Sequence, residues 1–427
     1  MVHLGLGAFH RAHQAVYTEQ AIGLAGGDWG IVGVAPRNAA LVATLTDQDN
    51  LFSVSTLSAA DQRTRVVGSL AGVRLAAADP QAVVALLADP AIRVVTLTVT
   101  EKAYQLDPAA GTLRPDADLV ADLTTERPPA TVPGLLARAA ADAGPIALVS
   151  CDNLPANGRR LRGLVTQSLA YAGTPHNVVD WVEAQVGFPG TMVDRIVPAS
   201  TAQTLSAAQR ALGVEDLAAV AAEPYTQWVI EDDFPGGRPA WDRAGAVLCA
   251  DAGPWERLKL RALNGVHSAT AYLGALAGCD TIAEALALPH LDTVLRRLIA
   301  EDVAASFVPP DGVDVVDYGE QVLARFGNPA IRHRTFQVAM DGSQKLPQRI
   351  LHTVADLRAA GRPARWAALA ALAAAPRTPA GAVDAMLGLD EVVPPEVAAD
   401  AQVRTDVIGW LTDLHQHGVR ATLAGAR

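Results

Sequence analysis

The chain has 427 residues, of which 50% are hydrophobic and 19% are charged, and its formal net charge is −11. That length is too great for one ordinary hydrophobic core, so we expect two or three domains. The composition is typical of a globular enzyme. An acidic chain without a basic stripe does not match proteins that bind nucleic acid or anionic membranes. A small anionic substrate would therefore need a local basic pocket.

The cysteines and the apolar runs indicate the compartment. Three cysteines, Cys151, Cys249 and Cys279, lie far apart and show neither a disulfide framework nor zinc-ligand spacing. This pattern is typical of a reducing cytoplasm. The longest strongly apolar run, Trp366 to Ala375, is too short to span a bilayer. We expect a cytoplasmic protein without a membrane span.

Short apolar strands alternate with helices along the first 150 residues. The patterns predict strands at 2–6, 29–35, 65–70, 92–98 and 145–150, and helices at 12–25, 81–87 and 132–142. Such alternation favours an α/β fold with a doubly wound parallel sheet. After about residue 196 most segments have helical spacing. We predict an α/β domain over residues 1–195 and a mostly α-helical domain over residues 196–427.

The turn after the first strand reads Gly5-Leu6-Gly7 and leads into a helix. In the dinucleotide fingerprint the first glycine makes the tight turn and the second lets the backbone approach a pyrophosphate. The third glycine is replaced by His10, and Arg11 offers an additional positive charge. The placement predicts a Rossmann-type dinucleotide site, and the alternative is a plain strand-to-helix turn.

The second strand ends at Arg37 without the Asp or Glu that usually contacts the adenosine ribose of NAD. Arg37 can contact a 2′-phosphate, stack on adenine or remain solvated. The choice between NAD and NADP is therefore open at this point.

Polar residues follow the next two strands, at Thr100-Glu101-Lys102 and at Asp152-Asn153. Ligands of open α/β sheets bind beyond the carboxyl ends of the strands, so both clusters are expected to face the cleft. Asn153 can donate a hydrogen bond to a carbonyl oxygen. In the alternative interpretation, Asp152 caps the next helix and Asn157-Gly158 forms only a turn.

A helical segment of the second half carries Glu256, Lys259, Asn264 and His267. At about 100° per residue, Glu256, His267 and Asn264 lie at about 60°, 80° and 140° from Lys259. A proton carrier, an amide and an imidazole would then share one face, as a site needs if it moves a proton and holds a polarised oxygen. The alternative is a solvated polar face.

Two further polar pairs are candidates. Asp194 stands beside Arg195, which indicates either a structural pair or an aspartate that orients a catalytic group. Lys345 and Arg349 lie one helical turn apart, a spacing that suits a carboxylate or sugar hydroxyls. A solvated cationic turn is the alternative.

Together, and in this order, these motifs resemble the polyol-specific long-chain dehydrogenases, which include mannitol dehydrogenases and fructuronate reductases. The resemblance covers residues 2 to about 355. It rests on the segments Val2–Gln14, Thr100–Lys102, Ser150–Asn153, Met192–Ile196, Glu223–Asp232, Lys259–Ser268 and Met340–Arg349.

The resemblance implies an NAD-type Rossmann domain and a helical substrate domain, usually monomeric, with metal-free catalysis. It implies that the cofactor is held around Gly5, Gly7, Ala8, Phe9, His10, Arg11, Arg37, Thr100 and Glu101.

The resemblance also implies roles for the helical segment. Lys259 matches the acid/base, and Asn264 and Asn153 match the amides that hold the reacting oxygen. His267 matches a substrate-binding histidine, and Glu256 matches a glutamate that exchanges the proton with solvent.

Within the family the chain looks more like fructuronate reductases, because Gln337 stands where mannitol dehydrogenases tend to have arginine. Lys102, Lys345 and Arg349 would then be partners for a uronate carboxylate, and Asp194 would line the same site. The implied reaction is reversible hydride transfer between nicotinamide and D-fructuronate, giving D-mannonate. Alternatives are a mannitol, arabinitol or tagaturonate enzyme, or a non-catalytic binder of nucleotide or sugar acid.

Overall fold

The computed structural model describes residues 1–58, 62–107, 110–140, 144–330, 333–373, 388–389 and 392–426. The chain divides into two compact units, Met1–Ala252 and Gly253–Arg427. The predicted architecture, a doubly wound α/β domain followed by a mostly helical domain, is confirmed. No helix among the described residues combines the length and the apolar character needed to cross a bilayer.

The first unit is built on short strands. Their bounds are β1 (Val2–Leu4), β2 (Ile31–Ala35), β3 (Phe52–Leu57), β4 (Gln62–Val67), β5 (Leu70–Leu75), β6 (Val94–Leu97), β7 (Ile146–Ser150), β8 (Val186–Gly187), β9 (Thr191–Asp194), β10 (Val220–Ala222), β11 (Gln227–Glu231) and β12 (Val247–Cys249).

Six of these strands form a parallel sheet in the order β5-β2-β1-β6-β7-β8. Helices cover both faces of such a sheet, so β6 and β7 are buried along their whole length and are rich in Val, Leu and Ile. From β1 the chain first builds β2 and β5 on one side of the sheet, and it later adds β6 and β7 on the other side of β1. The turn after β1 therefore lies at the point where strand order reverses, which is where open α/β sheets bind ligands.

The helices of the first unit mostly begin at a capping residue. Asn38, Asp79 and Thr131 each accept a backbone N–H of the first turn through the side chain. The helices are α1 (Ala8–Ala12), α2 (Gln14–Ala25), α3 (Ala39–Asp47), α4 (Pro80–Ala88), α5 (Ala117–Thr124), α6 (Val132–Ala139), α7 (Asn157–Tyr171), α8 (His176–Gln185) and α9 (Ala202–Leu212). The helix predicted at 12–25 is divided at His13, and the end of the one predicted at 132–142 lies outside the described residues.

Two three-stranded sheets complete the first unit, in the orders β10-β3-β4 and β12-β11-β9. Strand β10 pairs in parallel with β3, and β11 pairs antiparallel with β9. This pairing joins residues 220–249 to the first unit. The division of the chain thus falls at Ala252, later than the boundary after residue 195 that the helical texture indicates.

The second unit is helical. Its helices are α10 (Gly253–Leu258), α11 (Val266–Leu276), α12 (Ile282–Leu286), α13 (Leu291–Arg297), α14 (Val315–Phe326), α15 (Thr335–Ala339), α16 (Gly342–Leu346), α17 (His352–Ala359), α18 (Arg365–Leu372), α19 (Pro395–Ala398) and α20 (Ala401–Gly425). Among the described residues of this unit, three stretches have π-helical pairing: Lys259–Gly265, Leu298–Val303 and Pro347–Leu351. We name the first the lysine π turn and the last the arginine π turn. Both join α-helices without a break, so α10, the lysine π turn and α11 form one continuous helix.

Candidate active site

The turn after β1 has the backbone that the dinucleotide fingerprint predicts. Gly5 has φ +99°, and a Cβ there would collide with the carbonyl oxygen of Thr98. Gly7 is the N-cap of α1, and the nearest atom to the place its Cβ would take is the Gly5 oxygen at 3.6 Å. The open side of Gly7 lies beside the N–H groups that begin α1. This cradle fits a pyrophosphate.

The side chains of His10 and Arg11 support this turn from within the unit. His10 is fully buried, and its ring stacks on that of His3 at 3.4 Å. Arg11 is 7% exposed and donates to the backbone oxygens of Gly7 and Ala218. Burial lowers the pKa of Arg11 to about 10. Because the Arg11 guanidinium is buried, it is not positioned to offer its charge to a phosphate, as the sequence had suggested. Ala8 and Phe9, in contrast, remain partly exposed.

Asp152 ties together the carboxyl ends of β6 and β7. Its carboxylate accepts the N–H groups of Val99 at 3.1 Å and Thr100 at 2.9 Å, and the hydroxyl of Tyr104 at 2.9 Å. Burial raises the pKa of Asp152, and these donors oppose the shift. The clamp holds Thr100 at φ +72°, a strained conformation for a β-branched residue. Helix capping, the alternative suggested by the sequence, is not the role of Asp152.

The other residues predicted at strand ends of the first unit are exposed: Arg37, Thr100, Glu101, Lys102 and Asn153. Their exposure places these side chains at the solvent-facing surface of the first unit. Arg37 directly precedes Asn38, which caps α3. The end of β2 therefore presents a guanidinium and no carboxylate.

Asp194 lies at the end of β9 and is 6% exposed. Its neighbour Arg195 donates to the backbone oxygen of Glu223 at 3.0 and 3.1 Å. Asn157 begins α7 and exchanges hydrogen bonds with the Thr191 backbone, both at 2.9 Å. These contacts fix β9, and the interpretation of Asn157-Gly158 as only a turn is wrong.

The second unit places Lys259, Asn264 and His267 together on one continuous helix. Their side chains are 9%, 8% and 9% exposed, so the cluster is buried rather than a solvated polar face. Glu256 lies in the preceding turn and is half-buried. The amine, the amide and the imidazole therefore belong to one buried stretch of helix.

The angular positions differ from those predicted, because the lysine π turn pairs residues i and i+5. Asn264 is five residues beyond Lys259 and so stands nearly above it, instead of about 140° away as in an α-helix. Gly265 follows, and a Cβ there would lie 2.5 Å from the carbonyl oxygen of Arg349. The glycine thus allows the arginine π turn to pack directly on the lysine π turn.

His267 is held neutral by its surroundings. Its ring stacks on Phe326 at 4.5 Å and lies 4.9 Å from that of His333. Burial lowers the pKa of His267 well below its usual value, and the charges of His333, Arg349, Arg325 and Lys345 lower it further. The imidazole can donate or accept a hydrogen bond at neutral pH without carrying charge.

The two predicted cations of the second unit have different surroundings. Arg349 is half-buried and donates through Nη1 to Ser268 Oγ at 3.1 Å. Lys345 donates to the backbone oxygen of Met340 and lies 3.6 Å from the Asp341 carboxylate. Burial lowers the pKa of the Arg349 guanidinium.

Comparison with known proteins identifies this arrangement. The chain matches the family model of the mannitol dehydrogenase Rossmann domain over residues 1–243 and that of the mannitol dehydrogenase C-terminal domain over residues 251–378. The chain belongs to the mannitol dehydrogenase family. It is therefore an oxidoreductase of the kind that acts on CH–OH groups of polyols and sugar acids, and the predicted resemblance is confirmed.

Relatives of this mannitol dehydrogenase family member differ in their named activity. It is 44% identical to the uncharacterized oxidoreductase YdfI of Escherichia coli over 83% of the chain and 74% of the relative. It is 42% identical to the D-mannonate oxidoreductase of Escherichia coli, over 83% of this chain and 74% of that relative. The chain also resembles a solved structure, that of Pseudomonas fluorescens mannitol 2-dehydrogenase in a ternary complex with NAD and D-mannitol. The two superpose with a TM-score of 0.84 at 32% sequence identity, and the match covers 100% of this chain and 93% of that one.

Sequence reasoning missed Asp152, Tyr104 and Asn157 as supports of the strand ends in this chain. Their partners are distant along the chain, so local spacing gives no signal for them. The glycine of Asn264-Gly265 was a possible signal, because a glycine inside a helical pattern often marks close backbone approach. No group of three or more His, Cys, Asp or Glu suited to a metal occurs in the part of the chain that the structure describes.

Proposed function

We propose that this chain reversibly reduces a keto-hexuronate, D-fructuronate to D-mannonate, with NAD(H) as the hydride carrier. The observation that carries the proposal is the buried amine of Lys259, grouped with Asn264 and His267 in a unit where Arg349 and Lys345 supply positive charge. A relative named D-mannonate oxidoreductase supports the same substrate.

The cofactor would be held by the first unit. The turn from Gly5 to Gly7, with the backbone of Ala8 and Phe9, would contact the pyrophosphate, and Arg37, Thr100 and Glu101 would surround the rest. Bound NADH would supply the hydride that reaches the carbonyl carbon. Because the end of β2 has a guanidinium and no carboxylate, NADP is the alternative cofactor.

Lys259 would move the proton. In the direction of reduction its ammonium gives a proton to the carbonyl oxygen, and in oxidation its neutral amine takes the proton from the hydroxyl. Burial keeps bulk water from competing for this step. Glu256, which is half-buried and one turn earlier, would exchange the proton with solvent.

Amides would hold the reacting oxygen. The carbonyl oxygen gains negative charge as hydride arrives, and the N–H₂ groups of Asn153 and Asn264 can donate to it. A preorganised donor of this kind commonly contributes about 3 kcal/mol. Neutral His267 and the carboxylate of Asp194 would bind substrate hydroxyls and so select the configuration of the sugar.

The carboxylate of a sugar acid would be bound by cations. Arg349, Lys345 and Lys102 are the candidates, and arginine binds a carboxylate bidentately. A neutral polyol needs no such group. The solved mannitol 2-dehydrogenase favours mannitol oxidation as a second candidate function.

A substrate panel tests the proposal. Oxidation of NADH and of NADPH is followed with D-fructuronate, D-tagaturonate and D-fructose as acceptors. We expect the highest kcat/KM with D-fructuronate and NADH. Preference for D-fructose would favour the polyol dehydrogenase, and nucleotide binding without turnover of any acceptor would favour a non-catalytic binder.

A further inference from the structure

The helix that carries Lys259 continues its polar line beyond the catalytic cluster. Asn264, Ser268 and Tyr272 are spaced four residues apart, so they follow one another along the same face. Ser268 lies about 6 Å and Tyr272 about 12 Å along the axis from Asn264. The lysine π turn places Lys259 at the start of the same line.

Arg349 crosses this line at Ser268. The arginine π turn approaches so closely that the backbone oxygen of Arg349 meets Gly265. Its guanidinium donates to Ser268 Oγ at 3.1 Å, its one hydrogen bond within the residues described. Four N–H groups of a half-buried cation are left for a ligand. The carboxylate on the neighbouring segment, Asp341, lies near Lys345 instead.

The hydroxyl of Tyr272 has no hydrogen-bond partner among the described residues, although the side chain is only 5% exposed. Its Oη lies 3.3 Å from the place that a Cβ of Gly342 would take, at the start of α16. The charge of Arg349 is close enough to lower the pKa of this phenol against the effect of burial. A buried hydroxyl without a partner is unfavourable in a folded protein, and a donor beside a guanidinium with further N–H groups suits an anionic ligand.

The distances suit the proposed substrate. In a 5-keto-hexonate four C–C bonds separate the reacting carbon from the carboxylate carbon, which corresponds to about 5 Å in an extended chain. One helical turn, about 6 Å, separates Asn264 from Ser268. A carbonyl held near Lys259 and Asn264 thus places its carboxylate near Arg349.

We propose that Tyr272 is a specificity-determining residue, whose hydroxyl donates to the substrate carboxylate while Arg349 binds it through the guanidinium. This inference rests on the proposed function and assigns the acid end of the substrate to the face formed by Ser268, Tyr272 and Arg349. The carbonyl end remains at Lys259.

The test compares Tyr272→Phe, which removes one hydroxyl, with Tyr171→Phe, a matched change at an exposed tyrosine of α7. For each enzyme kcat/KM is measured with D-fructuronate and with D-fructose. We expect the ratio of the two values to fall at least about tenfold in Tyr272→Phe, and further in Arg349→Lys, which keeps the charge but loses the fork. Thermal unfolding reports whether each variant folds.

Binding of D-mannonate and D-mannitol, measured by calorimetry on the enzyme with NADH, separates this inference from the proposed function. Weaker mannonate binding in Tyr272→Phe, without a matching change for mannitol, supports the carboxylate site even if the wild type turns over neither acceptor. An unchanged ratio and unchanged mannonate affinity overturn the role of Tyr272, while turnover of D-fructuronate would leave the function intact.

Discussion

Lysine is scarce in this chain. Lysine and arginine together number 34, and three of these are lysines: Lys102, Lys259 and Lys345. All three belong to the proposed site. Arginine supplies positive charge elsewhere, but it does not release a proton at physiological pH. Retention of an amine at Lys259 is what proton transfer requires.

Replacement of Lys259 tests the proton role. Lys259→Ala should lower kcat at least about 1,000-fold, and Lys259→Arg should be similarly inactive because arginine keeps the charge without the proton. Fluorescence titration should show NADH affinity within about twofold of the wild type, since Lys259 lies in the second unit. Arg257→Ala, at an exposed position of the same helix, is the control. Near-normal turnover in Lys259→Arg would remove lysine from the proton step.

The neutral state of His267 has a kinetic consequence. Because burial and nearby positive charges hold its pKa well below the usual value, His267 does not titrate between about pH 6 and pH 8. His267→Gln should lower kcat/KM by about 100-fold and leave the shape of the pH profile unchanged in that range. The profile is measured with D-fructuronate and NADH. Loss of an ionisation near pH 6.5 in the variant would contradict a neutral imidazole.

At the scale of elements, the π stretches organise the second unit. π-helical turns are rare in proteins as a whole, and those that do occur are often found at functional sites. Here the lysine and arginine π turns touch at Gly265 and the Arg349 backbone. The two sets of proposed substrate contacts are therefore positioned by one backbone contact.

Gly265→Ala should break this contact. The added methyl group meets the Arg349 carbonyl, so the free energy of unfolding should fall by about 1 to 3 kcal/mol and turnover should fall with it. Gly409→Ala is the matched control, because a Cβ at that helical position meets nothing within 4 Å. It should raise the free energy of unfolding by about 0.5 to 1 kcal/mol. Both values come from urea denaturation, and equal stability of the two variants would refute the close packing.

At the scale of the molecule, one buried carboxyl links stability to pH. Asp302 is 2% exposed, and its Oδ2 accepts the N–H of Ala367 at 2.7 Å at the start of α18. Burial raises its pKa from 3.8 to about 7. The folded chain therefore binds this proton more strongly than the unfolded chain does. Its contribution to stability is complete below about pH 4 and is lost as the pH rises through 7.

Asp302→Asn should remove this dependence. Between about pH 4 and pH 7.5 the free energy of unfolding of the wild type should fall by about 2 to 4 kcal/mol more than that of the variant. Urea denaturation at the two pH values measures the difference. Asp317→Asn, at an exposed position of α14, should follow the wild type. Parallel curves for wild type and Asp302→Asn would place the titration elsewhere.

The architecture can be predicted from the sequence because apolar residues recur with different periods in strands and in helices, and because the glycines after β1 mark a dinucleotide-binding turn. It does not predict the allocation of residues 220–249, since β10, β11 and β12 have only three to five residues each and are defined by pairing with distant strands.

For the candidate site, the grouping on the lysine helix follows from spacing. The burial of Arg11 does not follow from spacing, because the same sequence allows the charged side chain to lie either beside the phosphate-binding turn or beneath it. The π pairing is also hidden, because the shift from i+4 to i+5 spacing over a single turn lies within the scatter of a hydrophobic pattern.

The lysine π turn amounts to one surplus residue in an otherwise regular helix. Deleting a residue such as Leu260 would let the segment close with ordinary i→i+4 hydrogen bonds, and the amine and the amide would then be four residues apart, about 40° from each other around the axis. If the full-length segment closed in the same regular way, the two groups would stand about 140° apart. The wide turn is therefore how a chain with this extra residue keeps both groups on one side of the helix.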